Sequence, residues 1–101
     1  MKLTAQQMKD VGVDENIINS FNYLFGESVD LDYSIADKWY PTLDWLAMAL
    51  KLFSRSELES FGRTYTDELA IMEQNRFKVD GWKESFQLAI AREFVRVYLR
   101  R

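Results

Sequence analysis

The chain has 101 residues, of which 48% are apolar, and a net charge of −3, yet it contains neither histidine nor cysteine. Histidine titrates near neutral pH, and cysteine is a strong nucleophile and a preferred ligand of soft metals. Their absence excludes disulfides, Ser-His and Cys-His catalytic pairs, thiol redox centres, and the ordinary zinc, haem and iron–sulfur sites. We therefore expect a protein that binds no metal and no cofactor and is not an enzyme.

The length corresponds to one domain, residues 1–101, which is large enough to bury a core without disulfides or metal. The N-terminal region, residues 1–16, is too polar for a signal peptide. The most apolar stretch, residues 43–53, is far shorter than the roughly 20 residues that a membrane span requires. We expect a cytoplasmic protein that does not cross a membrane.

The first 26 residues carry the signals of two short helices. Thr4 and Gln7 form a capping-box pattern, which predicts a helix to about Val11. Asp14 is placed to cap a second helix that ends at Gly26. The apolar residues of this second helix have helical spacing: Ile17, Ile18, Phe21, Leu24 and Phe25.

The middle of the chain combines an acidic segment with a very apolar one. Residues 27–37 predict a long loop, with one helical turn from Ser34 as an alternative. Pro41 suits the first residue of a third helix, because its missing N–H would be unpaired there anyway. Nine of the twelve residues from Thr42 to Phe53 are apolar, so this helix should lie in the middle of the fold.

The last part of the chain predicts two long helices. Ser54 and Glu57 form a second capping box, and the apolar spacing predicts one helix from 55 to 75. Asp80 is placed to cap a last helix from Gly81 to about Leu99. A hairpin at 77–83 is the alternative for Asp80-Gly81, although a lone hairpin is only marginally stable. The sequence thus predicts an all-α, compact single-domain bundle of four to five helices, with 42–53 and 86–99 as its central pair.

The two front helices, residues 4–25, have the approximate spacing of a helix-turn-helix. In this motif the second helix enters the major groove of DNA. Here that helix begins with Asp14 and Glu15 and contains no lysine or arginine. Because phosphate neutralisation supplies most non-specific DNA affinity, we expect this hairpin to serve packing rather than DNA recognition.

Alternating carboxylates in the acidic segment raise the question of a calcium loop. The EF-hand pattern requires glycine at its sixth position and glutamate at its twelfth. Counted from Asp30, these positions hold Ile35 and Pro41, so the pattern fails. We predict no metal site in this segment.

The same segment is the leading candidate for a protein-binding surface. Tryptophan and tyrosine contribute much of the binding energy at protein interfaces, and acids beside them would favour a basic partner. The predicted contact residues are Asp30, Asp32, Asp37, Trp39 and Tyr40. Trp45, within the apolar helix, is assigned to the core instead. The alternative is that residues 27–40 are only a solvated loop.

A second candidate surface lies on the last helix. Arg92, Arg96 and Arg100 are spaced by four and share one helix face. They suit an acidic protein or nucleic acid, although the nearby Glu93 favours an ordinary solvated face. The opposite, apolar face of this helix is broader than one neighbouring helix can cover. Either several helices of the chain surround it, or part of it is shared with a second copy in a homodimer through the last helix.

Together these patterns favour a small non-enzymatic protein–protein interaction module, namely an adaptor, an assembly factor or an inhibitor. Inhibitors carried by phages and other mobile elements are often compact chains of this kind. The alternative is a nucleic-acid-binding regulator that uses the hairpin at 4–25 or the arginine stripe. An enzyme with a carboxylate site assembled from distant residues is a third possibility, and it would need a deep polar pocket.

Overall fold

The computed structural model describes all 101 residues and contains six helices and one two-stranded sheet. The elements in chain order are β1 (Lys2–Thr4), α1 (Ala5–Asp10), α2 (Glu15–Phe25), β2 (Ser28–Asp30), α3 (Tyr33–Trp39), α4 (Trp45–Leu52), α5 (Arg55–Asn75) and α6 (Trp82–Leu99). The chain is therefore mostly helical, as predicted. The sheet and the sixth helix depart from the all-α bundle of four to five helices.

The caps of the two front helices form as predicted. The Gln7 amide donates to the Thr4 hydroxyl at 3.0 Å, and the Thr4 amide donates to the Gln7 side chain at 2.8 Å. Asp14 accepts a hydrogen bond from the Asn16 amide at 2.8 Å and begins α2. Gly26 ends this helix with a φ of +74°, which L side chains rarely adopt.

The acidic segment is not a long loop, which is a correction, but the helical turn predicted from Ser34 is present within α3. β2 pairs antiparallel with β1, placing Val29 opposite the fully buried Leu3. After the strand, Asp32 caps α3, so most of the segment has regular structure. Strands of three residues are too short to show the alternation that identifies a strand in a sequence. The alternative hairpin at 77–83 is absent, because residues 77–81 form turns and α6 begins at Trp82.

Pro41 does not begin a helix, which is a second correction. The amides of Thr42 and Leu43 bond back to the Trp39 carbonyl at 3.2 and 3.4 Å, so the chain turns here. Asp44 then accepts from the Ala47 amide at 3.0 Å and caps α4. The carboxylate of Asp44 satisfies an otherwise unpaired helical amide, and this fixes the start of the helix after the proline.

The two long helices follow the prediction except at one cap. Ser54 and Glu57 form the capping box of α5, which runs unbroken through Gly62. Asp80 does not cap α6. Gly81 occupies the cap position in the left-handed conformation, and no side chain bonds to the first turn. Asp80 therefore lies one residue too early to act as the cap.

Helix α6 is the central element, as expected, and packs against α3, α4 and α5. Its fully buried Phe94 stacks on Phe53 at 4.7 Å and meets Trp45 edge-on at 5.2 Å. The broad apolar face of α6 is thus largely covered within the chain. Helix α4 is less central than expected, because Leu50 on its outer side is 59% exposed.

The far half of the α5–α6 pair extends beyond the core, and we call residues 62–89 the arm. No residue from Gly62 to Ala89 is buried, and α6 is the main packing partner of α5. The molecule accordingly measures 41 × 29 × 22 Å. None of the helices combines the length and apolar character needed to cross a bilayer.

Candidate functional site

Two of the predicted acidic contact residues lie on the surface around the start of α3. Asp30 is exposed in β2, opposite Lys2. Asp32 accepts hydrogen bonds from the Ser34 hydroxyl and from the Ile35 amide, the latter at 3.1 Å. These bonds, the one from Ser34 above all, lower the pKa of the Asp32 carboxyl. Asp32 thus acts as a helix cap, and its local bonds leave it less available to a partner than its exposure suggests.

The third predicted acid, Asp37, belongs to an ion pair between α3 and α6. Its carboxylate lies 2.8 Å from a guanidinium nitrogen of Arg92, with both side chains about half exposed. The same guanidinium stacks over the ring of Tyr33 at 5.0 Å. The structure therefore joins the acidic surface and the arginine stripe at one point, which the sequence does not indicate.

The two predicted aromatic contact residues are only half-buried, and they differ in their surroundings. Trp39 meets the edge of Phe25 at 6.2 Å, and the Lys38 ammonium lies 5.1 Å from its ring centre. Trp39 thus packs mainly on its own chain. Tyr40 lines an open apolar cleft between the α3–α4 turn and the base of the arm. Trp45 is 3% exposed and lies in the core, as predicted.

This cleft, which we call the apolar cleft, has a volume of about 270 Å³. Asp44 is the one charged residue in its lining. The apolar lining combines the α3–α4 turn, α4 and the arm: Tyr40, Leu43, Trp45, Leu46, Tyr65, Phe86 and Ile90. Small-molecule sites usually have about 300–1,000 Å³. The cleft therefore suits one or two side chains of a protein partner better than a complete cofactor.

Trp45, one of the residues that line the cleft, has an unusual buried polar atom. Its indole N–H is the only buried side-chain nitrogen or oxygen without a hydrogen-bond partner. Leaving such a donor unpaired costs about 1–3 kcal/mol. The same ring packs edge-on against Phe94, so the cleft wall is continuous with the centre of the core.

Two larger depressions are lined mainly by polar residues. One, of about 600 Å³, lies on the outer face of α5, where Gly62 has no side chain. The other, of about 680 Å³, lies between the sheet and the front helices and exposes Lys2, Lys9 and Glu27. In neither do three or more carboxylates converge as a metal site would require.

The front hairpin packs through its apolar side. Met8, Ile18 and Phe21 are buried as expected, but Val11 is 42% exposed. Val13 takes its place in the core, and its amide donates to the Met8 carbonyl at 3.0 Å. The exposed side of α2 carries no lysine or arginine, so it offers no cation to a phosphate backbone.

The predicted arginine stripe is mostly engaged in ion pairs. Arg92 pairs with Asp37, and Arg96 bonds to Glu93 at 2.8 Å and to Ser60 at 3.1 Å. The Glu93 carboxylate raises the pKa of Arg96. Among the three, Arg100 alone forms no salt bridge. Few positive charges of this face are left for an acidic partner.

Sequence reasoning missed most of the cleft. Leu43 and Leu46 were assigned to a fully buried helix, and Tyr65 and Phe86 to ordinary helix packing. The latter two rings meet edge-on with centres 5.6 Å apart. No local signal marks these residues as a site, since they come from three segments that are each about twenty residues apart in the chain.

Comparison of the chain with protein-family models, with curated proteins and with solved structures finds no match.

Proposed function

We propose that this protein is a non-enzymatic protein-binding module, and that its apolar cleft receives an apolar side chain of a partner. The observation that carries the proposal is the composition of the cleft: an aliphatic and aromatic lining with Asp44 as the single charge. Centrally placed apolar pockets bind the anchor residues that dominate protein interfaces. The proposal keeps the adaptor, assembly-factor and inhibitor roles predicted from the sequence, and a cytoplasmic location.

The charges around the cleft favour a partner with basic residues beside its apolar anchor. Asp44 uses one carboxylate oxygen for the Ala47 amide, which leaves the other oxygen available at the rim. Asp30 and Asp32 are also exposed, but they lie at the start of α3, at the opposite end of this helix from Tyr40. Rim charges of this kind act mainly on the association rate and on specificity.

A short synthetic peptide with a phenylalanine between lysines tests the proposal. Fluorescence anisotropy should show binding that is lost when the phenylalanine is replaced by alanine. Binding should also weaken when the lysines are replaced by glutamates. Equal binding of all three peptides, or of none, would refute the proposal.

Two variants of α4 locate the binding site. Leu46→Glu puts a charge into the cleft and should abolish binding, whereas Leu50→Glu places the same charge on the outer side of the same helix and should not. Circular dichroism establishes that both variants are folded. If Leu46→Glu does not fold, Asp44→Asn replaces it. Asparagine caps a helix as well as aspartate, so this variant removes the rim charge and keeps α4.

A further inference from the structure

The tip of the arm presents the kind of group that the apolar cleft is proposed to receive. Phe77 is 87% exposed, the most exposed of the larger apolar residues except for Tyr23. It lies between Arg76 and Lys78, and the Arg76 guanidinium stacks over its ring at 4.8 Å. The tip is thus an aromatic side chain between two basic residues, of which Arg76 already pairs with Glu73 at 3.3 Å and Lys78 forms no salt bridge.

The arm between the cleft and the tip is also incompletely covered. Tyr65 packs against Phe86 at the cleft, and one helical turn further out Leu69 and Trp82 occupy the next layer. Leu69 is 37% exposed and Trp82 is only half-buried. No third helix lies over this outer layer.

We propose that the occupant of the apolar cleft is a second copy of this chain, whose Phe77 enters the cleft while its own cleft receives the first copy's Phe77. This inference rests on the proposed function and names its partner. A two-fold axis across the middle of two antiparallel arms brings each tip to the other cleft. From Tyr65 to the end of α5 at Asn75 the arm spans about 15 Å, so the two arms would lie side by side over this length.

Charge complementarity supports this arrangement. Each tip brings Lys78, which forms no salt bridge in its own chain, to a cleft whose only charged residue is Asp44. Arg76 adds less, because Glu73 already pairs with it. A stable interface usually buries about 800 Å² per partner, far more than one ring in one cleft supplies. Two reciprocal contacts and the facing arms enlarge the interface. The two-fold symmetry also closes the assembly at a dimer.

Sedimentation velocity of the full chain, from micromolar to near-millimolar concentration, tests the proposal. The wild type should shift from the 12.0 kDa monomer to twice that mass as its concentration rises. Phe77→Asp should stay monomeric. Tyr23→Asp is the matched control, because Tyr23 is an equally exposed aromatic residue on α2, and it should dimerise like the wild type.

Asp44→Asn provides an independent variant that preserves the cap of α4. It removes one rim ion pair at each of the two reciprocal contacts, so it should raise the dimer dissociation constant by up to about thirtyfold and reduce its dependence on salt. A wild type that is monomeric throughout, equal dimerisation of Phe77→Asp, or growth beyond a dimer would overturn the reciprocal arrangement.

The peptide experiment separates this inference from the proposed function. It is repeated on Phe77→Asp, whose cleft is intact. If Phe77→Asp binds the peptide but the wild type never dimerises, the binding module is retained and the second copy is ruled out as its occupant. If the peptide does not bind and the wild type does not dimerise, the proposed binding module and the proposed dimer are both ruled out.

Discussion

Replacing Glu57 with glutamine should destabilise the protein in a way that depends on pH. The Glu57 carboxylate accepts from the Arg101 guanidinium at 2.7 and 3.1 Å and so ties the start of α5 to the end of the chain. It also accepts from the Ser54 amide at 2.8 Å in the capping box. Glutamine keeps the capping bond, since it also serves at this position, and removes the charge that pairs with Arg101.

The pKa of Glu57 sets the size of this effect. The hydrogen bond from Arg101 is the main cause of its fall from an ordinary 4.5 to about 2. One pKa unit corresponds to about 1.4 kcal/mol, which gives an upper limit of about 3 kcal/mol. Because the Arg101 side chain is 33% exposed, solvent screening reduces the expected loss at pH 7 to about 1–2 kcal/mol.

Urea denaturation of the wild type and Glu57→Gln at a series of pH values measures this contribution. The folded-state pKa lies below the unfolded one, so the stabilisation is complete above about pH 4.5 and is lost as the pH falls toward about 2. The difference in unfolding free energy between the two proteins should therefore shrink across that window. Glu59→Gln, a 63% exposed position on the same helix, is the control and should cost under about 0.5 kcal/mol. If the difference in unfolding free energy between wild type and Glu57→Gln stays constant from pH 7 to pH 2, the charge of Glu57 is not the source of the stabilisation.

Two further substitutions test the core and the contact between α3 and α6. Phe94→Ala should lower the free energy of unfolding by about 3–5 kcal/mol, because it removes a fully buried ring at the centre of the aromatic core. A loss below about 1 kcal/mol in chemical denaturation would contradict this central position. Asp37→Ala and Arg92→Ala, combined in a double-mutant cycle of unfolding free energies, should show a coupling of only about 0.5 kcal/mol, since both side chains are about half exposed. A coupling above about 2 kcal/mol would mean that solvent screens this pair much less than its exposure implies.

Elements with local signals were predictable from the sequence. Both capping boxes form, at Thr4 and at Ser54, because each requires only residues three positions apart. The long α5 and α6 were evident from sustained apolar spacing. Trp45 was correctly assigned to the core because its neighbours in the chain are apolar.

The remaining features depend on contacts between residues that are distant in the chain, or on which of two nearby residues determines where a helix begins. β2 forms because residues near position 29 meet Leu3, and no pattern within 27–37 predicts that pairing. Pro41 suits a helix start, but Asp44 caps the helix instead. The acidity of residues 27–37 suggested one surface, whereas Asp32 serves as a cap and Asp37 pairs with Arg92.

Chemical-shift mapping on ¹⁵N-labelled Phe77→Asp, titrated with the lysine-flanked phenylalanine peptide, tests the binding site most directly. The chain has only three tryptophans, so their indole N–H signals are few, and Trp45 is one of the residues that line the cleft. If the peptide binds in the apolar cleft, the indole signal of Trp45 and the amide signals of Leu43 and Leu46 should shift, with little change at Tyr23 on α2. Shifts confined to α2 or to the α5 face at Gly62, or no shifts at saturating peptide, would contradict it.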